Sequence, residues 1–210
     1  VTPSNIISSL KNAKNTAPGA DGIPYSHVRN LPETGLQYLA SIFQTCWDAC
    51  YFPDKWKQAV MTLIPKHGKD LTAAKNYRPI TLLPVLGKCY ERLINKELMG
   101  FLEREGLLPE SQAGFRQKRS TQDQLIKLVQ NCLRNSQLGL TTMATFYDIE
   151  KAFDKMSHDG LVLKAKRLGL SNQTVALLSN YLSNRTVQIK LEGLLSPPIL
   201  LKAGTPQGAI

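Results

Sequence analysis

The chain has 210 residues, 42% of them hydrophobic, with a formal net charge of +10. That length and apolar content suit one sizeable domain or two small ones and exclude wholesale disorder, and no apolar run approaches the roughly 20 residues of a membrane span. The basic excess is uneven: residues 1–50 are balanced, residues 51–131 carry 14 basic against 8 acidic side chains, and residues 132–210 carry 9 against 5. A basic surface of this kind attracts phosphates and steers nucleic acid, although scattered solvated lysines give the same total.

Residues 15–32, rich in Gly, Pro, Asn and Asp, read as irregular chain. Leu36, Leu39, Ile42, Phe43, Cys46 and Trp47 recur at three- and four-residue steps, which predicts a helix over 35–51 closed by Pro53. Ala59 to Ile64 is a strand that stops at Pro65, and Ile80 to Leu83 is a second strand behind Pro79. Between them lies a basic loop with Lys66, Lys69, Lys75 and Arg78. A long helix follows over 85–104, its stripe formed by Leu86, Tyr90, Leu93, Ile94, Leu98, Phe101 and Leu102. Further helices are expected near 121–135, 159–168 and 172–182, and strands at 141–147, 186–191 and 199–202. Strands mixed with runs of helices give an α+β fold class. Cys46, Cys50, Cys89 and Cys132 sit in apolar helical segments without a second pair of soft ligands nearby, so free buried thiols and a reducing compartment are expected.

Four segments could carry chemistry. Lys66 and Arg78 flank the basic hairpin, where a point charge and a planar donor fork can clamp a triphosphate; a solvated hairpin reads the same way. In Gln112-Ala-Gly-Phe-Arg-Gln-Lys-Arg-Ser-Thr121, the residues Gly114, Phe115, Arg116, Arg119, Ser120 and Thr121 suit phosphate contacts and base stacking. Ser120 or Thr121 could equally cap the next helix. In Phe146-Tyr-Asp148-Ile149-Glu-Lys-Ala-Phe153-Asp154, an Asp at a strand end is placed to hold a divalent metal, or else to open a turn or cap a helix. Gly204-Thr-Pro206-Gln207-Gly208 makes a tight loop whose backbone can approach a ligand closely, as common Gly-Pro turns also do.

In this order, these segments resemble the blocks of reverse transcriptases from non-LTR (LINE-type) retrotransposons. Asn12 to Pro24 is similar to the block ahead of the fingers, Met61 to Leu83 to the fingers hairpin, and Gln112 to Gln124 to a loop typical of this branch. Ala144 to Leu161 resembles the first catalytic palm motif, and Gly204 to Gly208 the Gly-x-Pro-Gln-Gly motif. The resemblance implies a right-hand polymerase with an N-terminal extension over 1–57, fingers over 58–140 and partial palm over 141–210. It implies an RNA template, a DNA primer and dNTPs, with Asp148 binding the two catalytic Mg2+ ions. Lys66 and Arg78 would hold the triphosphate beside Ile149. Phe153 would exclude a ribose 2′-hydroxyl, and Gln207 would touch nucleotide and template. The nucleic acid would meet Gly114 to Thr121 and Gly204, Pro206 and Gly208. The second, Asp-Asp motif and the thumb are expected beyond Ile210, so the fragment alone is expected to be inactive. A start at Val1 agrees with a segment of a longer protein. Met156-Ser157 replaces the Val-Trp pair of many relatives. An intracellular, nuclear setting is expected, without a membrane partner. The alternative is a catalytically inactive nucleic-acid-binding relic or domesticated module.

Overall fold

The computed structural model describes residues 1–205 apart from Asn12, Lys14, Lys69, Ala74 and Lys75. Two compact units emerge, one built from Val1–Met99 with Lys151–Ile210 and the other from Gly100–Glu150.

The first unit is a mixed α/β layer structure. Strands β1 (Gln58–Pro65), β2 (Tyr77–Leu82), β3 (Thr186–Leu191), β4 (Leu194–Leu195) and β5 (Ile199–Leu200) form one sheet. Its order is β2-β1-β3-β4, with β5 also pairing β3. β1 and β2 form the antiparallel hairpin, with Ile64 opposite Arg78, and β1 runs parallel to β3, with Ala59 opposite Val187. β4 and β5 lie in line along the outer side of β3, and Pro197-Pro198 falls between them. Proline has no amide to donate, so the outer ladder is interrupted there. Ser196 closes the gap: its Oγ accepts from the Ile189 amide at 2.9 Å.

The same unit holds the helices α1 (Pro3–Lys11), α2 (Tyr25–Arg29), α3 (Glu33–Asp48), the inner part of α4 (Val85–Arg104), α6 (Ala152–Lys155), α7 (His158–Arg167) and α8 (Asn172–Leu182); α1 packs against α2 and α3, and α7 against α8. The expected helix at 35–51 is α3, starting two residues earlier behind Pro32. The reading of 15–32 as irregular chain needs correction, because Tyr25–Arg29 is helical. Its polar residues hid a buried Tyr25–Val28 pair. Arg29 and Arg92 stack over the Tyr25 ring at 5.7 and 5.5 Å. Both guanidinium groups also donate to carbonyls at the end of α1, Arg92 to Ser9 O at 3.2 Å and Arg29 to Leu10 O at 3.3 Å. Cations there satisfy orphan carbonyls and complement the helix dipole.

The core is aromatic. Phe43, Phe52, Trp56, Tyr90 and Tyr181 meet with ring centroids 5.1–6.0 Å apart. Phe43 and Tyr90 are fully buried and Phe52 nearly so. Buried polar groups line this cluster. Lys57, 1% exposed, donates to Asp54 at 3.0 Å and to Asn180 Oδ1 at 3.2 Å. Arg185, also 1% exposed, lies 4.6 Å over the Tyr181 ring and donates to Tyr181 O at 3.0 Å. The Tyr181 hydroxyl donates to Glu91, and burial pushes the Tyr181 phenol well above its ordinary range. The four cysteines are free thiols; Cys46 and Cys89 are buried as expected, whereas Cys50 and Cys132 are only partly buried.

The second unit is sparse. It holds the end of α4, a loop over 105–120, α5 (Thr121–Gln137) and an irregular segment to Glu150. α5 has no buried residue; Leu125, Val129 and Leu133, spaced by one helical turn, are all more than half exposed. The strand expected over 141–147 is absent: residues 141–149 have no regular secondary structure. Thr, Met, Phe and Tyr favour a pleated, half-buried surface, but among the described residues no strand offers this segment a ladder. Met143, Phe146 and Tyr147 are more than four-fifths exposed. Among the described residues, no helix is long and apolar enough to cross a membrane.

Candidate functional site

Burial fades along β1, from buried Ala59 and Val60 to exposed Ile64 and Pro65. The hairpin therefore projects from the core into solvent. The strand expected at Ile80–Leu83 begins earlier, at Tyr77, so Arg78 is a strand residue rather than part of the loop. Lys66 stands at the head of the connection, where its amide donates to Asn76 O at 2.9 Å. Arg78 is exposed on the neighbouring strand, and both cations thus occupy the solvated end of one hairpin.

Phe153 sits on α6, a single turn whose N-cap, Lys151, has a left-handed backbone with φ of 56°. A turn this short does not sustain itself. It is braced by the Gly204 loop: the Thr205 amide donates to Phe153 O at 3.0 Å and the Gly204 amide to Met156 O at 2.8 Å. His158 Nε2 makes a further 2.7 Å bond to Gly204 O. Gly204 has φ of +75°, and a Cβ there would stand 2.6 Å from Phe153 O and 2.7 Å from Asp154 O. Glycine is required both by the conformation and by the close approach. Pro79, Thr81, Asp154, Gly204 and Thr205 line one small cavity of about 120 Å³, closed from the sheet side by Val187 and Leu201. Pro79 and Thr81 of β2, Asp154 of α6 and the Gly204 loop therefore converge, while Arg78 and Phe153 are not among the residues that line the cavity. Thr81 is 2% exposed, and its hydroxyl has no hydrogen-bond partner among the described residues. Pro206, Gln207 and Gly208 lie outside the described residues.

Within the second unit, Asp148 and Ile149 are exposed on the irregular segment after α5. The unit's own cleft, about 570 Å³ between α5 and residues 142–146, does not include Asp148 in its lining. Among the described residues no group of three His, Cys, Asp or Glu side chains could hold a metal. A lone exposed carboxylate such as Asp148 is the kind of ligand that magnesium takes together with phosphates and water.

The Gly114–Thr121 loop is locked from within. Arg116 forms a bidentate pair with Glu103, at 2.8 and 2.6 Å, and donates to Pro109 O at 2.7 Å and Gln112 O at 3.2 Å. Its donors are occupied by its own chain, and the Arg116 guanidinium holds the Glu103 carboxyl below its ordinary value. Ser120 caps α5 in a reciprocal box with Asp123, so the capping alternative holds for Ser120. Its backbone amide, with its side chain, lowers the Asp123 carboxyl. Thr121 opens the helix, and Arg119 and Gly114 are exposed. Phe115 is 89% exposed with φ of 59°, a left-handed backbone that a bulky residue adopts only under constraint. Sequence reasoning missed Glu103 and His158. Glu103 lies thirteen residues before its partner and His158 forty-six before its own, and neither separation has a periodic signature.

Residues 64–210 match the model of the family described as "Reverse transcriptase (RNA-dependent DNA polymerase)". The chain is 38% identical over 206 residues to the "RNA-directed DNA polymerase from mobile element jockey" of Drosophila melanogaster, covering 98% of this chain and 22% of that protein. It is 34% identical over 194 residues to the "Probable RNA-directed DNA polymerase from transposon BS" of the same species, covering 92% and 21%. It is also 34% identical over 201 residues to the "Probable RNA-directed DNA polymerase from transposon X-element", covering 96% and 22%. The chain spans about a fifth of the length of these curated relatives.

Proposed function

Because the chain belongs to the reverse transcriptase (RNA-dependent DNA polymerase) family, in its non-LTR retrotransposon branch, we propose that it forms the fingers and part of the palm of an RNA-directed DNA polymerase. Residues 58–140 are the fingers and 141–210 part of the palm. The observation that carries this reading is the convergence of β2, the Phe153 turn and the Gly204 loop around one cavity. A nucleotide-binding end built from three segments so distant in sequence needs such a meeting point.

Arg78 and Lys66 bind the triphosphate of the incoming dNTP, Arg78 as a planar fork and Lys66 as a point charge. Ile149 lies against the nucleotide. Phe153 stands under the deoxyribose and leaves no room for a 2′-hydroxyl, while Gln207 touches nucleotide and template. Asp148 is the carboxylate through which this chain holds catalytic magnesium. The chemistry that a bound pair of magnesium ions supplies is activation of the primer 3′-hydroxyl and support of the leaving pyrophosphate. The protein side chains otherwise position and neutralise charge. Phe115, Arg119 and the loop around Gly114 meet the nucleic acid, with Phe115 as a stacking platform. Thr121 lines that contact. Arg116 and Ser120 keep the loop in shape. Gly204, Pro206 and Gly208 track the template strand.

The test is primer extension on an RNA template with dNTPs and magnesium, using a polymerase that carries this segment at the length of its relatives. Asp148→Ala should lower extension by a factor on the order of 1,000 or more, since metal stabilisation of the transition state is worth several kcal/mol. Extension that survives Asp148→Ala would refute the assignment. RNA binding without any extension by the unmutated protein would identify a binding module instead.

A further inference from the structure

We infer that His158 is a positioning residue for nucleotide selection, holding the Gly204–Thr205 turn against the backbone of Phe153 and Asp154. The inference rests on the reading of Phe153 as the gate against ribonucleotides.

A four-residue helix such as α6 leaves its last carbonyls without intrahelical partners. One of them, Phe153 O, is taken by the Thr205 amide, and the carbonyl of the C-cap residue Met156 by the Gly204 amide. The backbone under the gate ring is therefore fixed by a loop some fifty residues away in sequence. These bonds are main chain to main chain, and Gly204 contributes no side chain. The bracket's side-chain element among the described residues is His158, whose Nε2 reaches Gly204 O at 2.7 Å. A carbonyl oxygen only accepts, so Nε2 carries the proton.

His158 is well placed for this task. It is the first residue of α7, directly after Ser157, whose hydroxyl accepts from the Gly160 amide at 3.1 Å. The imidazole thus projects from a capped helix start, and a rigid support makes a precise one. The Gly204 peptide is held from both sides: its amide is tied to Met156, and its carbonyl to His158. Release of the carbonyl frees the peptide to rotate. The contacts at Phe153 O then loosen, and the ring above them gains room to move away from a 2′-hydroxyl.

The experiment uses the same full-length polymerase and compares two variants that differ in reach. The amide nitrogen of Gln can occupy the place of His Nε2, whereas that of Asn falls short of it. His158→Asn should lower the preference for deoxyribonucleotide over ribonucleotide by about two- to tenfold, the range one hydrogen bond covers. The loss should come from faster ribonucleotide incorporation, with kcat for the correct dNTP changing least. Amide hydrogen exchange at Gly204 and Thr205 should rise in the same variant. His158→Gln should restore both readouts, which a residue that merely stabilises the fold would not do. Phe153→Val serves as the reference. If it lowers the preference while His158→Asn leaves preference and exchange at their original values, the inference is wrong and the gate stands. If Phe153→Val itself leaves the preference unchanged, the gate reading falls and the inference falls with it. Equal loss in the Asn and Gln variants would also overturn it.

Discussion

The two units handle apolar side chains in opposite ways. In the first, Phe52 packs edge to face on Tyr181 while Phe43 and Phe52 lie tilted against Tyr90, and even Lys57 and Arg185 are buried with specific partners. In the second, α5 has no buried residue, and Phe146 and Tyr147 stand in solvent. The second unit is shaped by polar contacts: the Glu103–Arg116 pair and the Ser120–Asp123 box. Asp148, proposed to hold the metal, lies in the loosely built unit, while the frame under Phe153 lies in the tightly built one.

Substitutions can break or sharpen this contrast. The largest effect is expected at Phe52→Ala, which removes a buried ring touching three other aromatics. It should destabilise the first unit by about 3–5 kcal/mol, read by chemical denaturation. A loss below about 1 kcal/mol would mean that the aromatic cluster is not the core it resembles.

Next is Arg78→Ala in the full-length polymerase. Its side chain is exposed, so stability should not change, whereas the dNTP KM should rise about tenfold for loss of a charge-assisted bond worth roughly 1.5–3 kcal/mol. Unchanged KM and kcat would remove Arg78 from the triphosphate.

Acid should then separate the units. The Glu103 and Asp123 carboxyls both lie below their ordinary values of 4.5 and 3.8, held by the Arg116 side chain and by Ser120 respectively. A carboxyl with a depressed value stabilises the fold above its unfolded value, and that contribution is lost as pH falls through the folded one. Exchange and proteolysis over residues 105–123 should therefore rise on acidification below about pH 4, and Arg116→Ala should give the same opening at neutral pH. If the loop stays protected in both cases, polar contacts do not hold it. The smallest effect is expected at Val129→Glu. Val129 is 55% exposed, so the melting midpoint should move by no more than about 0.5 kcal/mol equivalent; a large shift would reveal a packed α5.

Much of this was legible from periodicity. The helices at 33–48, 85–104, 121–137 and 172–182 and the strands β1 and β3 follow from apolar spacing and from proline and glycine punctuation. The family's blocks pointed to Lys66, Arg78, Asp148, Phe153 and Gly204 because each is a short contiguous pattern. What escaped depends on partners distant in the chain. Tyr25–Arg29 looked like loop because its burial arises from Arg29, Arg92 and the end of α1. Residues 141–147 looked like a strand because propensity counts side chains and cannot count the ladder that is missing. Arg116 looked like a free cation because its acceptors are Glu103 and two loop carbonyls, which no local pattern ties to it.

Both borders of the five-stranded sheet carry imino acids: Pro79 within β2 on one side, and Pro197-Pro198 between β4 and β5 on the other. An open border of unpaired amides would recruit a strand from a neighbouring molecule and seed aggregation. Here neither border offers an unbroken row of donors. These interruptions disfavour edge-to-edge annealing of this sheet with the strands of a neighbouring molecule.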